Sequence, residues 1–349
     1  MRHDNPWPAG RLLNALALAL PLALSGALTD ASAATLDDVK ARGSLRCGVN
    51  GELPGLSHKD AQGAWSGLDA DFCRAVAAAV LGDAKRVDFV PLNNSDRFDA
   101  LRQGEVDLLS RNTTWTLSRD LDLGMAFVGV LYHDGQGFMV PRTSEALSVL
   151  QLGRKRICAI EDSTSPGNAE AFFTRNRTSV ELVLVKDIDA AKAAYLAGRC
   201  DAITTDHSQL HALRSELDDP HAHRILPEVI SKEPLSPAVR KGDQVWSDIV
   251  RWTLFVLIDA EELGIDSTNV EGARTLAKSA EARGLLDPEG TTAHMLGVEP
   301  GWSYRVIKQV GNYAEIFERN LGSQSPLKVK RGLNALWRDG GILYAPPAR

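Results

Sequence analysis

Three stretches of this chain gather side chains able to grip a small charged molecule. The first, Ser110-Arg111-Asn112-Thr113-Thr114-Trp115-Thr116-Leu117-Ser118-Arg119, is dense in hydroxyls and carries an amide and two guanidiniums. Arginine is the side chain best shaped to hold a carboxylate through two parallel hydrogen bonds. The second, Thr204-Thr205-Asp206-His207, offers a carboxylate. The third, Glu161-Asp162-Ser163-Thr164-Ser165-Pro166-Gly167, sets hydroxyls before an expected helix start, where free N–H groups favour an anion. A guanidinium for a carboxylate and an acid for an ammonium are the two needs of an amino-acid zwitterion. Each group also has a bland reading: loop solvation for Thr113, Thr114 and Thr116, and helix capping for Asp206 and the third loop.

The elements that must position these loops follow from periodicity. Leu45–Asn50, Arg86–Leu92 and Val106–Ser110 read as strands, separated by helices over Asp71–Leu81 and from Ser95 to Gly104. The pattern restarts with strands at Arg156–Ile160, Glu181–Lys186 and Asp201–Thr205. Helices follow them at about Asn168–Arg175, Asp187–Ala197 and Asp206–Ser215. Two βαβαβ units imply mostly parallel sheets covered by helices. Ligands in such sheets sit beyond the carboxyl ends of strands, where the three loops fall. An echo links the units: Ala100–Asp107 and Ala194–Asp201 each end a helix at glycine and begin a strand shortly after. Gly137–Val140 and Leu235–Val239 are candidate crossing strands of a hinge. The last third reads as helical over Gln244–Leu263, Trp302–Leu321 and Val329–Trp337. Its Trp246, Trp252, Trp302, Tyr304 and Trp337 are read as core.

The chain has 349 residues, enough for two domains, and a net charge of −6. Nucleic acid and anionic membrane are poor partners for such a surface. Residues 1–33 read as a cleaved signal peptide: Arg2 and Arg11, an uncharged run Leu12–Thr29, then Ala31-Ser32-Ala33. Export implies an oxidising compartment, and the four cysteines allow three pairings or free thiols. The element order favours Cys47–Cys73 and Cys158–Cys200, one in each half. His207 and His211 stand four apart on an expected helix, followed by His221 and His223. With no third ligand near in sequence, a solvated helix face is the preferred reading over a metal site. An enzyme on the same framework needs a general acid in the cleft, for which Glu161 and Asp162 are the candidates.

Longer matches then become recognisable. They include Cys47-Gly48-Val49-Asn50, Gly67–Val76, Gly104-Glu105-Val106-Asp107, Ser110–Asp120, Gly135–Val140, Thr204-Thr205-Asp206, Leu226–Pro234 and Lys308–Asn320. Through them the chain resembles the amino-acid-binding proteins of ABC importers, closest to their general L-amino-acid branch. The resemblance implies an α/β, type II periplasmic binding-protein fold: two βα lobes joined by a two-strand hinge, with added C-terminal helices. Lobe 1 is then 34–137 plus 234–349, and lobe 2 is 138–233. It implies a periplasmic monomer without cofactor that binds free L-amino acids and delivers them to an inner-membrane permease. Other readings on the same fold are a cyclohexadienyl dehydratase-like enzyme and an orphan sensor. By the same resemblance, Arg119 clamps the α-carboxylate and Thr114 contacts the ligand. Asn112 turns its backbone carbonyl to the α-ammonium, which Asp206 holds, and Thr164, with neighbouring Ser163, meets the carboxylate from lobe 2. There are two departures. Asp162 stands where the family pattern has glycine, and Leu56 stands where many relatives place an aromatic over the ligand.

Overall fold

The computed structural model describes residues 34–276 and 279–348. The expected signal peptide, residues 1–33, lies outside them. After helix α1 (Ala34–Arg42) come β1 (Leu45–Val49) and a small antiparallel sheet of β2 (Glu52–Leu53), β3 (Ser57–Lys59) and β4 (Trp65–Ser66). Next are α2 (Leu68–Leu81), β5 (Val87–Pro91), α3 (Arg97–Arg102), β6 (Leu108–Leu109), α4 (Leu117–Asp122) and β7 (Met125–Phe127). Strand β8 (Tyr132–Asp134) leads to β9 (Gln136–Pro141), β10 (Arg156–Ile160), α5 (Ser165–Arg175), β11 (Glu181–Val185) and α6 (Ile188–Leu196). Then follow β12 (Ala202–Asp206), α7 (His207–Ser215) and β13 (His223–Ile225). The chain returns through β14 (Glu233–Leu235) to β15 (Ala238–Arg240).

Two five-stranded sheets result, in the orders β5-β1-β6-β15-β7 and β11-β10-β12-β9-β13. Their central pairs, β1 with β5 and β6, and β10 with β11 and β12, are parallel. The late strand β15 runs antiparallel between β6 and β7, and β9 runs antiparallel beside β12. The crossing between sheets is the antiparallel ladder of β8 and β14, in the register Asp134↔Glu233, His133↔Pro234 and Tyr132↔Leu235. Gln136 and Gly137 already pair with Asp206 and Thr205 in the second sheet. The ladder therefore lies just before the Gly137–Val140 segment expected to cross.

Helix α2 shows how sequence sets geometry. Its alanine-rich face is wholly buried under α12 (Trp302–Val310). It begins abruptly at Gly67, whose φ of 119° is open to glycine alone, and a Cβ there would lie 2.1 Å from the Leu56 carbonyl oxygen. It ends at Gly82, left-handed at φ 76°. Gly104 and Gly198, the echoing turn glycines, are left-handed too, at 75° and 67°. The bonds Cys47–Cys73 and Cys158–Cys200 join β1 to α2, and β10 to the start of β12.

The C-terminal third holds α8 (Gln244–Glu262), α9 (Val270–Leu276), α10 (Ala280–Leu286), α11 (Thr291–Leu296), α12 and α13 (Tyr313–Asn320). Among the described residues no helix is long and apolar enough to cross a membrane. Trp246 is fully buried and donates from Nε1 to the Asp107 carbonyl at 2.8 Å, tying α8 to the first sheet. Two expectations fail here. The helix expected over Trp302–Leu321 is two helices, broken at Gly311 and restarted by a reciprocal cap between Asn312 and Glu315. The Val329–Trp337 segment forms only short 3-10 turns, and Trp337 is half exposed rather than core.

Candidate functional site

A cleft of about 820 Å³, counted to its open mouth, lies where the carboxyl ends of both parallel strand sets meet. It is lined by Asn112, Thr114 and Arg119 from the loop after β6, Ser163 and Thr164 from the loop after β10, and Asp206 from the end of β12. All six residues assigned to ligand binding therefore face one space.

The first loop is held by a buried acid at the start of α2. Asp69, buried in the first turn of α2, accepts from Ser110 Oγ and from the Asn112 N–H, each at 2.9 Å. Burial pushes its carboxyl up to about 6 despite these bonds. Asn112 is thereby fixed at φ 38°, a left-handed turn that asparagine tolerates better than most residues. Arg119, in the first turn of α4, donates from Nη1 to the Thr114 carbonyl at 2.9 Å and lies 5.3 Å from the Phe98 ring centre. Its helix is capped by Thr116 Oγ1. Burial lowers the Arg119 pKa, and Glu233 and Asp206 oppose that shift.

Asp206 occupies the N-cap position of α7, yet its side chain does not cap. That bond is made by Asp134 of β8, which accepts from the Ser208 N–H at 3.2 Å. Asp206 instead receives Gln209 Nε2 at 2.9 Å and is 4% exposed. Burial, with Asp134 and Glu233 nearby, raises its pKa well above the usual carboxylate range. A buried acid relieved of capping suits the task of receiving a cation.

The hydroxyls are committed differently from expectation. Thr114 Oγ1 and Thr164 Oγ1 both donate to Glu233 Oε2, at 2.7 and 2.9 Å. Glu233 Oε1 accepts from Asn168 Nδ2 at 2.7 Å and Ser231 Oγ at 2.5 Å. One buried carboxylate on the crossing strand β14 thus gathers donors from both sheets. Ser163 Oγ donates to the Ile160 carbonyl at 2.6 Å, within its own loop. Asp162 sits at φ 54°, the left-handed geometry that glycine adopts without strain. Leu56, expected beside the ligand, is buried in the hydrophobic core and does not line the cleft.

Sequence reasoning missed three groups: Glu233, Arg97 and the particular exposure of Arg111 to the cleft. Glu233 carries little local signal, because only Ser231 among its donors is near in sequence, while Thr114 and the neighbouring Thr164 and Asn168 come from distant segments. Two arginines were visible in the Ser110–Arg119 loop, but only Arg119 received a role. His207 and His211 stand on α7, and burial lowers the pKa of both. Among the described residues no group of three His, Cys, Asp or Glu side chains is placed to hold a metal.

Two α/β sheets joined by a two-strand crossing, with a polar cleft between their strand ends, define a two-lobed solute-binding architecture. The chain belongs to the bacterial extracellular solute-binding proteins, family 3, whose model matches residues 45–264. It is 49% identical over 341 residues to the general L-amino acid-binding periplasmic protein AapJ of Rhizobium johnstonii, covering 97% of this chain and 99% of that one. It is 46% identical over 332 residues to the glutamate/glutamine/aspartate/asparagine-binding protein BztA of Rhodobacter capsulatus, covering 95% and 97%. A periplasmic binding protein from Brucella ovis, solved with glutathione bound, superimposes with a TM-score of 0.88 at 49% identity, covering 90% of this chain and 99% of that chain.

Proposed function

We propose that this protein captures free L-amino acids in the interlobe cleft and presents them to an ABC permease of the inner membrane. The observation that carries this reading is the placement of Arg119 and Asp206 in one cleft, with no ion pair made by either among the described residues. Arg119 takes the α-carboxylate. Asp206 and the Asn112 carbonyl take the α-ammonium. Thr114 and Thr164 meet the carboxylate only by releasing Glu233, so ligand binding exchanges one carboxylate for another at these hydroxyls. Ser163 borders the same position.

In this reading residues 34–134 and 233–348 form one lobe and 135–232 the other, with the β8–β14 ladder as hinge. Residues 1–33 direct export to the periplasm and are removed. The protein works as a monomer and catalyses no reaction. The amino-acid ligand and the periplasmic location are supported by the name of AapJ, a general L-amino acid-binding periplasmic protein. Glutathione in the Brucella ovis relative fits the same grip, because its γ-glutamyl end carries a free amino-acid head group.

The test is calorimetry and thermal shift of the mature chain against the twenty L-amino acids and glutathione. Binding of several amino acids, and an affinity loss of about 2–5 kcal/mol in Arg119→Ala, are the expected results. An R119A protein that binds as tightly as the parent overturns the assignment.

A further inference from the structure

A zwitterion with a neutral side chain needs one guanidinium, and the cleft has three. Arg97 and Arg111 are 3% and 4% exposed and line the same space as Arg119. Among the described residues, none of the three pairs with a carboxylate. Arg97 donates only to neutral oxygens, Asn94 Oδ1 at 2.7 Å and the Asp162 carbonyl at 3.1 Å, and its Nε has no acceptor. Arg111 spends only Nε, on the Leu92 carbonyl at 2.8 Å. Its terminal nitrogens meet no acceptor, and Nη1 is buried. The carboxylate that acts most strongly on Arg111, Asp69, turns its oxygens to Ser110 and Asn112 instead. Burial pushes Arg111 down to about 10, with Arg119 adding to the fall, so the guanidinium stays charged at neutral pH. Buried guanidiniums are ordinarily paired, and a planar fork with two free nitrogens matches a carboxylate in shape as well as charge.

We infer that Arg111, flanked by Arg97, is the seat of a second ligand carboxylate, so that the cleft favours amino acids whose side chain itself ends in one. This rests on the zwitterion reading above and deepens it. An acidic amino acid brings two negative groups and one positive group. Arg119 and Arg111 answer the first two and Asp206 the third. Arg111 acts by direct contact with the side-chain carboxylate. Arg97 adds charge and holds the third loop through the Asp162 carbonyl.

The experiment is calorimetry of the mature protein at neutral pH with L-glutamate, L-glutamine, L-aspartate, L-asparagine and L-alanine. Parent protein should bind L-glutamate at least about tenfold more tightly than L-glutamine, the scale of one charge-assisted pair. Arg111→Gln should erase that ratio, with L-alanine binding and a melting curve as the checks on folding. Arg111→Lys, which keeps the charge but not the fork, should retain only part of the preference. A parent protein that binds L-glutamine as tightly as L-glutamate overturns the inference, whatever the variants do. So does an R111Q or R111K protein with the parental ratio. Failure of all five amino acids to bind removes the zwitterion reading itself, an outcome distinct from a lost ratio.

Discussion

Asp206 carries the sharpest consequence at the scale of single residues. Burial beside Asp134 and Glu233 raises its pKa, so the empty cleft favours its protonated form. A ligand ammonium favours the charged form, so binding is linked to proton release from Asp206. Affinity therefore rises with pH until Asp206 is ionised in the empty protein, and levels off above that point. Calorimetry in buffers of different ionisation enthalpy should detect the released proton, and Asp206→Asn should abolish it. The same variant should weaken amino acids while sparing their 2-keto acid analogues; equal losses for both would remove Asp206 from the ammonium site. The place of Asp206 in the cleft was legible because it ends a parallel strand, where ligands sit, although the same position also read as a helix cap. Glu233 was not legible. A carboxylate that binds Thr114, Thr164, Asn168 and Ser231 becomes visible only when the chain has folded.

Among elements, the entry to α2 is the most exacting. The φ of 119° at Gly67 and the nearness of the Leu56 carbonyl leave no room for a methyl group. Gly67→Ala should cost about 2–4 kcal/mol by urea denaturation, from backbone strain and overpacking together. It should also loosen Asp69, two residues on in the same first turn, and through it the Asn112 loop. The βαβαβ grammar was readable because turn glycines and apolar strands are local signals. The break between α12 and α13 was not. Val306, Ile307, Val310, Ile316 and Phe317 all bury at helical spacing, so periodicity runs straight across Gly311. The cap pair Asn312 and Glu315 was the available clue. The Val329–Trp337 segment misled for a different reason. Its anchors are long-range: Arg331 Nη2 donates to the Glu261 carboxylate at 2.9 and 3.0 Å, and Asn334 bonds both backbone groups of His133. No helical hydrogen-bond ladder is needed to hold it.

For the molecule as a whole, each disulfide ties together elements of one βαβ unit, Cys47–Cys73 in the first and Cys158–Cys200 in the second. Their spans of 26 and 42 residues each correspond to about 3–4 kcal/mol of loop-closure stabilisation. Reduction should therefore lower the melting temperature clearly. Ligand affinity measured well below that temperature should stay near the oxidised value, because neither bond touches the cleft side chains. A reduced protein with an unchanged melting curve would refute the stabilising role. The element order gave the pairings in sequence because each cysteine falls on or beside a strand or helix of its own βαβ unit. The crossing itself was placed slightly late, since an alternating strand reads alike on either side of a sheet change.

The pairing of Asp134 with Glu233 brings the beginning and the end of the second sheet's segment side by side. Everything between them enters and leaves through one narrow doorway. The segment is topologically a cassette, and a short turn across that doorway would close the remaining chain without rerouting any strand of the first sheet. Exchange of such cassettes between relatives would alter half of the lining while leaving Arg111 and Arg119 where they stand.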